Sequence, residues 1–523
     1  MAPVLPIHNA CREIIDRLLL GEADHRLLKA QIARKYGLQR LLTNPEILSA
    51  ASSEEQGRLL PVLRLKPTRS LSGVSVIAVM TPPHPCPHGR CAYCPNVPGV
   101  PNSYTGREPS AMRGLQNHYD PYKQVQSRIA QLRSAGHQVS KVELIVQGGT
   151  FPATSPDSQG QFVKGCFDAL TGVVSRTLPE AQAKAEQSRL RNVGLTFETR
   201  PDHCHPAEID HMLDLGVTRV ELGVQTVYDD VYQLIERGHS VTHVVDATRR
   251  LRDAGLKVCY HMMPGLPGSS PDRDTGAFRE IFDDPAFRPD MIKIYPCLVL
   301  EGTKIHEWWR LGEYQPLTTS EAVELLSEVK DRVPSWIRIM RVQRDIPAQL
   351  IVAGVKKSNL RQLVREHMLK HGLTCHCIRC REVGHLEPVP SLTDKDIRVK
   401  STRYEAGDGT EFFISAENED ESVLVAYLRL RMPSPQAYRS ELKSRNSSLV
   451  RELHVYGSVV PVDERQPGAW QHRGYGKTLL REAERISKDN GAEQVLVMSA
   501  LGVRDYFRRQ GYERVGPYMG KAI

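Results

Sequence analysis

Apolar and polar positions follow different rhythms in different parts of this chain. Up to about residue 69 the apolar residues recur at helical spacing: Ile14, Ile15, Leu18 and Leu19, then Leu27, Leu28 and Ile32. Arg26, Lys29, Arg34 and Lys35 fall between them and are predicted to face solvent, with Gly37 placed to cap the helix. From about 70 to 344, short apolar runs alternate with longer helical segments. The runs lie at 74–80, 142–147, 194–199, 219–224, 257–263, 291–295 and 336–342, and 120–135 and 242–254 are two of the helices between them. Such alternation predicts an α/β unit with a parallel sheet, open or curled into a partial barrel, whose site lies beyond the C-terminal ends of its strands. From about 387 the rhythm changes again. Strands at 412–416, 424–431 and 450–456 read as antiparallel, followed by a helix at 476–489, a strand at 494–499 and a short helix at 503–509. The expected organisation is therefore a helical extension (1–69), an α/β unit (70–344), a linker (345–386) and an α+β domain (387–523).

Composition narrows the class. A chain of 523 residues with 40% hydrophobic content can bury several cores. The absence of an apolar run long enough for a signal peptide or a membrane span predicts a cytoplasmic protein with no membrane partner. The 11 cysteines are few and partly clustered, which suits metal ligands and free thiols in a reducing compartment. The net charge of +8 is compatible with a polyanionic partner. The first 69 residues carry eleven Lys/Arg against seven Asp/Glu. Charge alone leaves two readings of them open, an arm for phosphate backbones and an ordinary amphipathic cap.

The sharpest chemistry is in HPCPHGRCAYCP, where Cys86, Cys91 and Cys94 stand as Cys-x4-Cys-x2-Cys in a proline-rich loop after the first strand. Thiolates ligate iron–sulfur clusters, and three ligands on a 4Fe–4S cube leave one iron open to bind and reduce a cofactor, the arrangement of radical S-adenosylmethionine enzymes. A structural zinc knuckle is the other reading. Gly148, Gly149 and Thr150 follow the second strand, where glycine lets backbone approach a ligand, or simply turns the chain. Glu198, Arg200, Glu221 and Gln225 lie in or just past strands three and four and are candidate cofactor contacts or structural ion pairs. A second cysteine group, Cys375, Cys377 and Cys380, has His367, His371, His376 and His385 around it. It reads as a structural zinc site, with free thiols or a second cluster as alternatives.

Near the C-terminus, Gln471-His472-Arg473-Gly474-Tyr475-Gly476 bridges a strand and a helix, where exposed N–H groups and the helix dipole make an anion site. With DYFRRQGYE about thirty residues later, this segment looks like the end of a Gcn5-related N-acetyltransferase domain. In that fold the strand Glu452-Leu453-His454-Val455 would hold the pantetheine arm of acetyl-CoA. Tyr506 or Phe507 would lie near the thioester, and Tyr506 could protonate the departing thiolate. His472 and Arg473 could meet CoA phosphates or RNA. The insert at 458–470 reads as a gate over the site or as a passive loop.

Together the two motifs resemble the family of the catalytic third subunit of Elongator, in its stand-alone prokaryotic form. The resemblance runs from about Arg64 to the C-terminus through SYTGREPSAMR, YDPY, VQGGTF, FETRPD, ELGVQT, PGLPG, RELHVYGSVVPV and GPYM. It implies a partial TIM-type radical S-adenosylmethionine barrel joined to the acetyltransferase domain. The implied reaction converts the wobble uridine of transfer RNA toward 5-carboxymethyluridine, by abstraction of hydrogen from the acetyl methyl, addition to uracil C5, loss of an electron and hydrolysis of the thioester. Implied cofactors and partners are a 4Fe–4S cluster on Cys86, Cys91 and Cys94, S-adenosylmethionine, acetyl-CoA, a reductant, and transfer RNA held by its anticodon loop and arm. The oligomeric state stays open, a homodimer included. Lys141 matches a family position linked to acetyl-CoA; on sequence alone it is an exposed lysine. The first cysteine gap is shorter than in eukaryotic members, and those members keep only the first cysteine of the second group. Two rivals stand beside this reading, a protein lysine acetyltransferase with a scaffold cluster domain and a non-catalytic RNA-binding module.

Overall fold

The computed structural model describes residues 4–22, 24–65, 72–386, 392–457, 470–471 and 473–523. The expectations for His472 and for the insert at 458–469 lie outside them. Seven strands run parallel in the order in which the chain makes them: β1 (Ser75–Met80), β2 (Lys141–Gln147), β3 (Arg191–Thr199), β4 (Arg219–Gln225), β5 (Lys257–Met262), β6 (Met291–Ile294) and an edge strand, Arg338–Arg341. An order that never reverses puts every crossover helix on one face, so the sheet curls as a barrel wall. Among the described residues β1 pairs only with β2, and Arg338–Arg341 only with β6, so the barrel stays open along one side. The outward positions are apolar, among them Val142, Leu144 and Val146 of β2 and Val220 and Leu222 of β4, and they pack beneath the helices. Side-chain caps start several of those helices. Asp120 accepts from the Lys123 N–H before Pro121–Ser134, and Ser270 from that of Arg273 before Pro271–Asp283.

A second seven-stranded sheet follows. Arg398–Ala406, Gly409–Glu417, Leu424–Met432 and Ser447–Val455 are antiparallel neighbours, Gln494–Val497 runs parallel to Ser447–Val455, and Tyr518–Ala522 and Glu513–Val515 complete it. Arg398–Ala406 is not legible in the sequence: it is an edge strand whose Arg398, Val399, Ser401, Thr402 and Arg403 are exposed, so it lacks an apolar run. Arg429 faces Glu452 and Leu430 faces Val450, so Arg451 is the extra residue of a bulge.

This sheet closes the floor of the half-barrel, meeting it where the parallel strands begin. Arg451 donates to the Leu256 carbonyl (3.2 Å) and Arg429 to the Trp336 carbonyl (2.8 Å), while His454 Nε2 lies 3.1 Å from the Ser72 carbonyl. The seam is ionic, and its arginines with Asp253, Asp290 and Glu411 are buried. Arg451 binds Asp290 (2.7 Å) and Glu411 (2.8 Å), Arg431 binds Asp253 (2.7 Å), Arg252 binds Glu411 (3.0 Å) and Arg429 binds Glu452 (3.0 Å).

The N-terminal helices Val4–Leu19, His25–Lys35, Asn44–Ala50 and Ser53–Leu63 enclose their own core of Ile14, Ile15, Leu28, Ile32, Ile47, Leu59 and Leu63. Here two expectations are corrected. Leu27 is 62% exposed, and Lys29 is buried with its ammonium donating to Asn44 Oδ1. The buried stripe of that helix runs through Leu28, Lys29, Ile32 and Ala33, which turns Leu27 outward. The bundle rests on the end of Pro121–Ser134, where Leu65 N–H donates to the Ala135 carbonyl (3.1 Å). No helix among the described residues is long and apolar enough to cross a membrane.

Candidate active site

Above β1 the chain loops over the C-terminal mouth of the half-barrel, with Cys91 and Cys94 buried and Cys86 half-buried. Each sulfur has protein donors nearby. Asn102 Nδ2 lies 3.3 Å from Cys86, the Ser103 N–H 3.2 Å from Cys94, and His88 Nε2 (3.2 Å) and Arg237 Nη1 (3.5 Å) flank Cys91. Burial opposes ionisation of Cys91, but Arg237 and His88 outweigh it and hold the thiol down at about 6. Arg237 reaches this place because Gly223 has no side chain: a Cβ there would lie 2.4 Å from the guanidinium. Sulfurs sharing one zinc ion sit about 4 Å apart. Among the described residues only Cys375/Cys377/Cys380 and Glu221/Cys259/His261 gather three ligand atoms within 4.8 Å, so the loop thiols are set wider than a single ion takes.

Gly148 and Gly149 both adopt positive φ at the end of β2. A Cβ on Gly148 would strike Thr81 Oγ1 at 2.1 Å, so packing of the strand end by itself requires glycine here. Gly149 and Thr150 face the cavity, and Thr150 Oγ1 lies 4.0 Å from Cys86. Arg200 forks onto Asp202 (2.9 and 2.8 Å) and donates to the Arg237 carbonyl (2.7 Å). Its first task is therefore to order the loop that carries Arg237 to Cys91.

Below the mouth, the inner wall is charged where barrel interiors are usually packed with branched apolar side chains. Arg219 pairs with Glu143 and lies 3.4 Å from Glu221. Glu221 pairs with Lys293 and accepts from His261 Nε2 (2.8 Å). Glu198 lies 3.7 Å from Lys293 and accepts from Gln147 (3.0 Å) and the Tyr104 hydroxyl (3.0 Å). Burial works against the Glu221 carboxylate, yet Lys293, His261 and Arg219 hold its carboxyl well below the usual range. Sequence reasoning missed Glu143, Arg219, His261, Lys293, Tyr104 and Arg237. The available signal was charge at alternate positions of otherwise apolar strands, as in Arg219 and Glu221 of β4.

At the floor, Ser447–Val455 pairs with Gln494–Val497 only as far as Val450 opposite Val497, after which the two strands separate. Glu452, His454 and Tyr456 then face the cavity, and Leu453 and Val455 pack toward the second core. Gln471 joins the two halves of the molecule: its amide donates to the Val455 carbonyl (3.2 Å) and its Oε1 accepts from Lys141 Nζ (2.9 Å). Lys141 is thus not the exposed lysine the sequence suggests; burial holds it down at about 8. Gly474 (φ +99°) opens the helix Tyr475–Asp489, and a Cβ on Gly476 would lie 2.8 Å from the Tyr506 hydroxyl. Tyr506 stands edge-on to Phe507. Asp394 reaches across, accepting from the Tyr475 hydroxyl (2.7 Å) and pairing with Arg473 (3.4 Å). A single cavity of about 1210 Å³ has Cys86, Cys91 and Cys94 in its upper wall, Glu198, Glu221, Gln225 and Lys293 along its shaft, and Glu452 and His454 at its floor.

Away from this cavity wall, Cys375, Cys377 and Cys380 gather their sulfurs within 4.8 Å. Among the described residues no histidine joins them within that distance, His376 included: His367 lies 3.0 Å from Ser327 Oγ, His371 bonds to the His367 carbonyl, and His385 pairs with Glu382. The expected fourth ligand is therefore not supplied by those histidines.

The chain matches the ELP3 N-terminal domain over residues 7–71, the Radical SAM superfamily over 81–277 and the Radical_SAM C-terminal domain over 289–370. It is 51% identical to the tRNA uridine(34) acetyltransferase of Methanocaldococcus jannaschii over 92% of this chain and 90% of that protein. It is 43% identical to Elongator complex protein 3 of Danio rerio over 95% of this chain and 92% of that one. The solved structure of archaeal Methanocaldococcus infernus Elp3 with an N-terminal deletion superposes with a TM-score of 0.78, at 46% identity over 87% of this chain and 100% of that one.

Proposed function

The chain belongs to the family of tRNA uridine(34) acetyltransferases and Elongator complex protein 3, and on that premise we propose that it carboxymethylates C5 of the wobble uridine of transfer RNA. The observation that carries this reading is the shared cavity, whose walls include both the cysteine loop and the strand Ser447–Val455. A radical superfamily barrel implies a 4Fe–4S cluster and S-adenosylmethionine. When bound, they supply a 5′-deoxyadenosyl radical able to take hydrogen from an unactivated methyl group.

The residues divide the remaining work. Cys86, Cys91 and Cys94 would ligate the cluster, and their wide spacing and the low thiol of Cys91 fit that task. Gly149, Thr150, Glu198, Glu221 and Gln225 line the place where S-adenosylmethionine would lie, and Tyr104 and Gln147 fix Glu198. The separated strand Glu452–Val455 would receive the pantetheine amides, and the helix start at Gly474–Gly476 the pyrophosphate. Tyr506, against that first helical turn, would protonate the thiolate leaving group. Lys141, which loses its proton more readily than a solvated lysine, would sit beside the thioester through Gln471. Cys375, Cys377 and Cys380 would hold one zinc ion with three thiolates. Transfer RNA, an external reductant and acetyl-CoA complete the reaction. The protein lysine acetyltransferase reading leaves the three loop thiols and the charged shaft without a task.

The test is anaerobic reconstitution with iron and sulfide, then incubation with S-adenosylmethionine, reductant, acetyl-CoA and unmodified transfer RNA. Digested RNA should contain 5-carboxymethyluridine, and Cys91→Ala should yield none while keeping its fold. Peptide-lysine acetylation by both proteins, with no product in RNA, would establish the rival.

A further inference from the structure

Two arginines stand in the short turn Ile378–Arg381, and the fold treats them differently. Arg381 is buried and fully answered: it binds Glu417 (2.7 Å) and donates to the His376 and Ser335 carbonyls (both 2.9 Å). Arg379 lies two residues away and so faces the other side of the turn. It is half-buried, and among the described residues it makes no hydrogen bond and no ion pair. Burial and the guanidiniums of Arg361 and Arg338 push it down to about 10, so at neutral pH it is a cation short of both water and counter-charge. Arg338 is paired with Glu382, while Arg361 has only the Ile339 carbonyl (3.1 Å). A cation withdrawn from water without a carboxylate calls for an anion from outside.

The place is set by the strands around it. The Ile378 N–H donates to the Ile337 carbonyl (3.0 Å), which docks the turn beside the edge strand Arg338–Arg341. That strand and β1 border the open side of the half-barrel, where Arg379, Met340 and Arg341 line the cavity together with Val76 and Ala78 of β1. Val76 is 44% exposed, so the cavity opens sideways to solvent here. The carboxylates nearby are paired, Glu382 with Arg338 and His385, and Asp345 with Arg341 (2.8 Å). The opening therefore carries an uncancelled positive charge beside an apolar strip. A forked guanidinium suits a pair of phosphate oxygens. A single-stranded RNA loop can splay its bases away from its backbone, so a cation at the rim and a cavity behind it fit the two parts of one nucleotide.

We propose that Arg379, with Arg361 behind it, holds a backbone phosphate of the anticodon loop at the open side of the half-barrel, so that the RNA strand lies across this lateral opening while its target base enters the cavity. This rests on the function proposed above, which already gives the phosphates of acetyl-CoA the helix start at Gly474–Gly476. It deepens that reading by assigning an RNA-binding residue to the linker, outside the N-terminal bundle.

Titrations of the full chain with transfer RNA over a range of salt test this. Arg379→Gln should lower the salt slope by about 1, and Arg379→Lys should keep it. Acetyl-CoA affinity should stay within about twofold in both. An anticodon stem-loop carrying one uncharged methylphosphonate linkage at a time locates the contact. At one linkage beside the target uridine the unsubstituted protein should lose about tenfold in affinity. Arg379→Gln should lose less than about twofold there, a cancellation that a purely structural arginine does not give. An unchanged slope, or equal losses in both proteins at every linkage, would overturn the assignment. If Arg379→Gln does not fold, arginine modification by phenylglyoxal with peptide mapping decides on the unsubstituted protein: transfer RNA should protect Arg379 and acetyl-CoA should not. Protection by acetyl-CoA alone would make the anion a CoA phosphate and overturn the assignment, as would protection by neither. No binding of transfer RNA by the unsubstituted protein would instead overturn the proposed function, so the two failures are distinguishable.

Discussion

An ammonium group largely withdrawn from water gives up its proton more easily, and Lys141 is held at about 8 where a solvated lysine has 10.5. Between those two values the unfolded chain binds more protons than the folded one, so stability rises with pH across the window, and below about 8 the full cost is present. Lys141→Met should therefore be more stable than the unsubstituted protein at pH 7, by up to about 3 kcal/mol. The advantage should vanish as pH approaches 10.5. Urea unfolding of both proteins at several pH values checks this, and a constant difference would mean that the side chain is hydrated. Tyr506→Phe keeps the ring against Phe507 but removes the hydroxyl beside Gly476. Turnover should drop about 100-fold while acetyl-CoA binds as before, measured by single-turnover assay and calorimetry. The loop cysteines were legible in the sequence because their spacing is local. Arg237, which acts on Cys91 from 146 positions away, was not, because only the fold brings it there.

Helices were legible where one face is buried and the other is not, and strands where a run of buried positions marks them. The seven parallel strands lie where their apolar runs predict them to within a few residues, since both faces of such a strand are covered. The edge strand Arg398–Ala406 carries no such run and escaped. The N-terminal bundle shows why charge alone is a poor guide to a partner. Arg12 pairs with Glu55, Arg17 with Glu22, Lys35 with Glu13 and Arg40 with Glu46, and Lys29 is buried. Much of the positive charge counted in the sequence is thus answered within the bundle. Joint replacement Arg26→Ala and Arg34→Ala, on its exposed face, should lower the salt slope of transfer RNA binding by about 1–2. Arg12→Ala should leave that slope unchanged. Equal effects of the two changes, in titrations over a range of salt, would return the whole bundle to the role of phosphate arm.

At the scale of the molecule, the buried seam couples the two sheets more firmly than their different rhythms suggest. Arg451 serves Asp290 on the barrel side and Glu411 on the other. Arg451→Met leaves both carboxylates buried without their main cation and should cost about 3–5 kcal/mol. Both sheets should lose stability together in hydrogen exchange. Loss confined to residues 398–523 would mean that they unfold independently.

The second sheet is the floor of the barrel, and this limits how the chain can be taken apart. A cut near residue 390 would leave Asp253 and Asp290 on one fragment and Arg429, Arg431 and Arg451 on the other, so that the arginines keep Glu411 and Glu452 but lose both aspartates. The excised C-terminal piece would present a charged face that no solvent-facing surface of the intact protein shows. Silence from that piece in an acetylation assay would report a broken fold, not a missing activity. Activity from it would report a protein that does not exist in the cell. The two halves have to be studied in one chain.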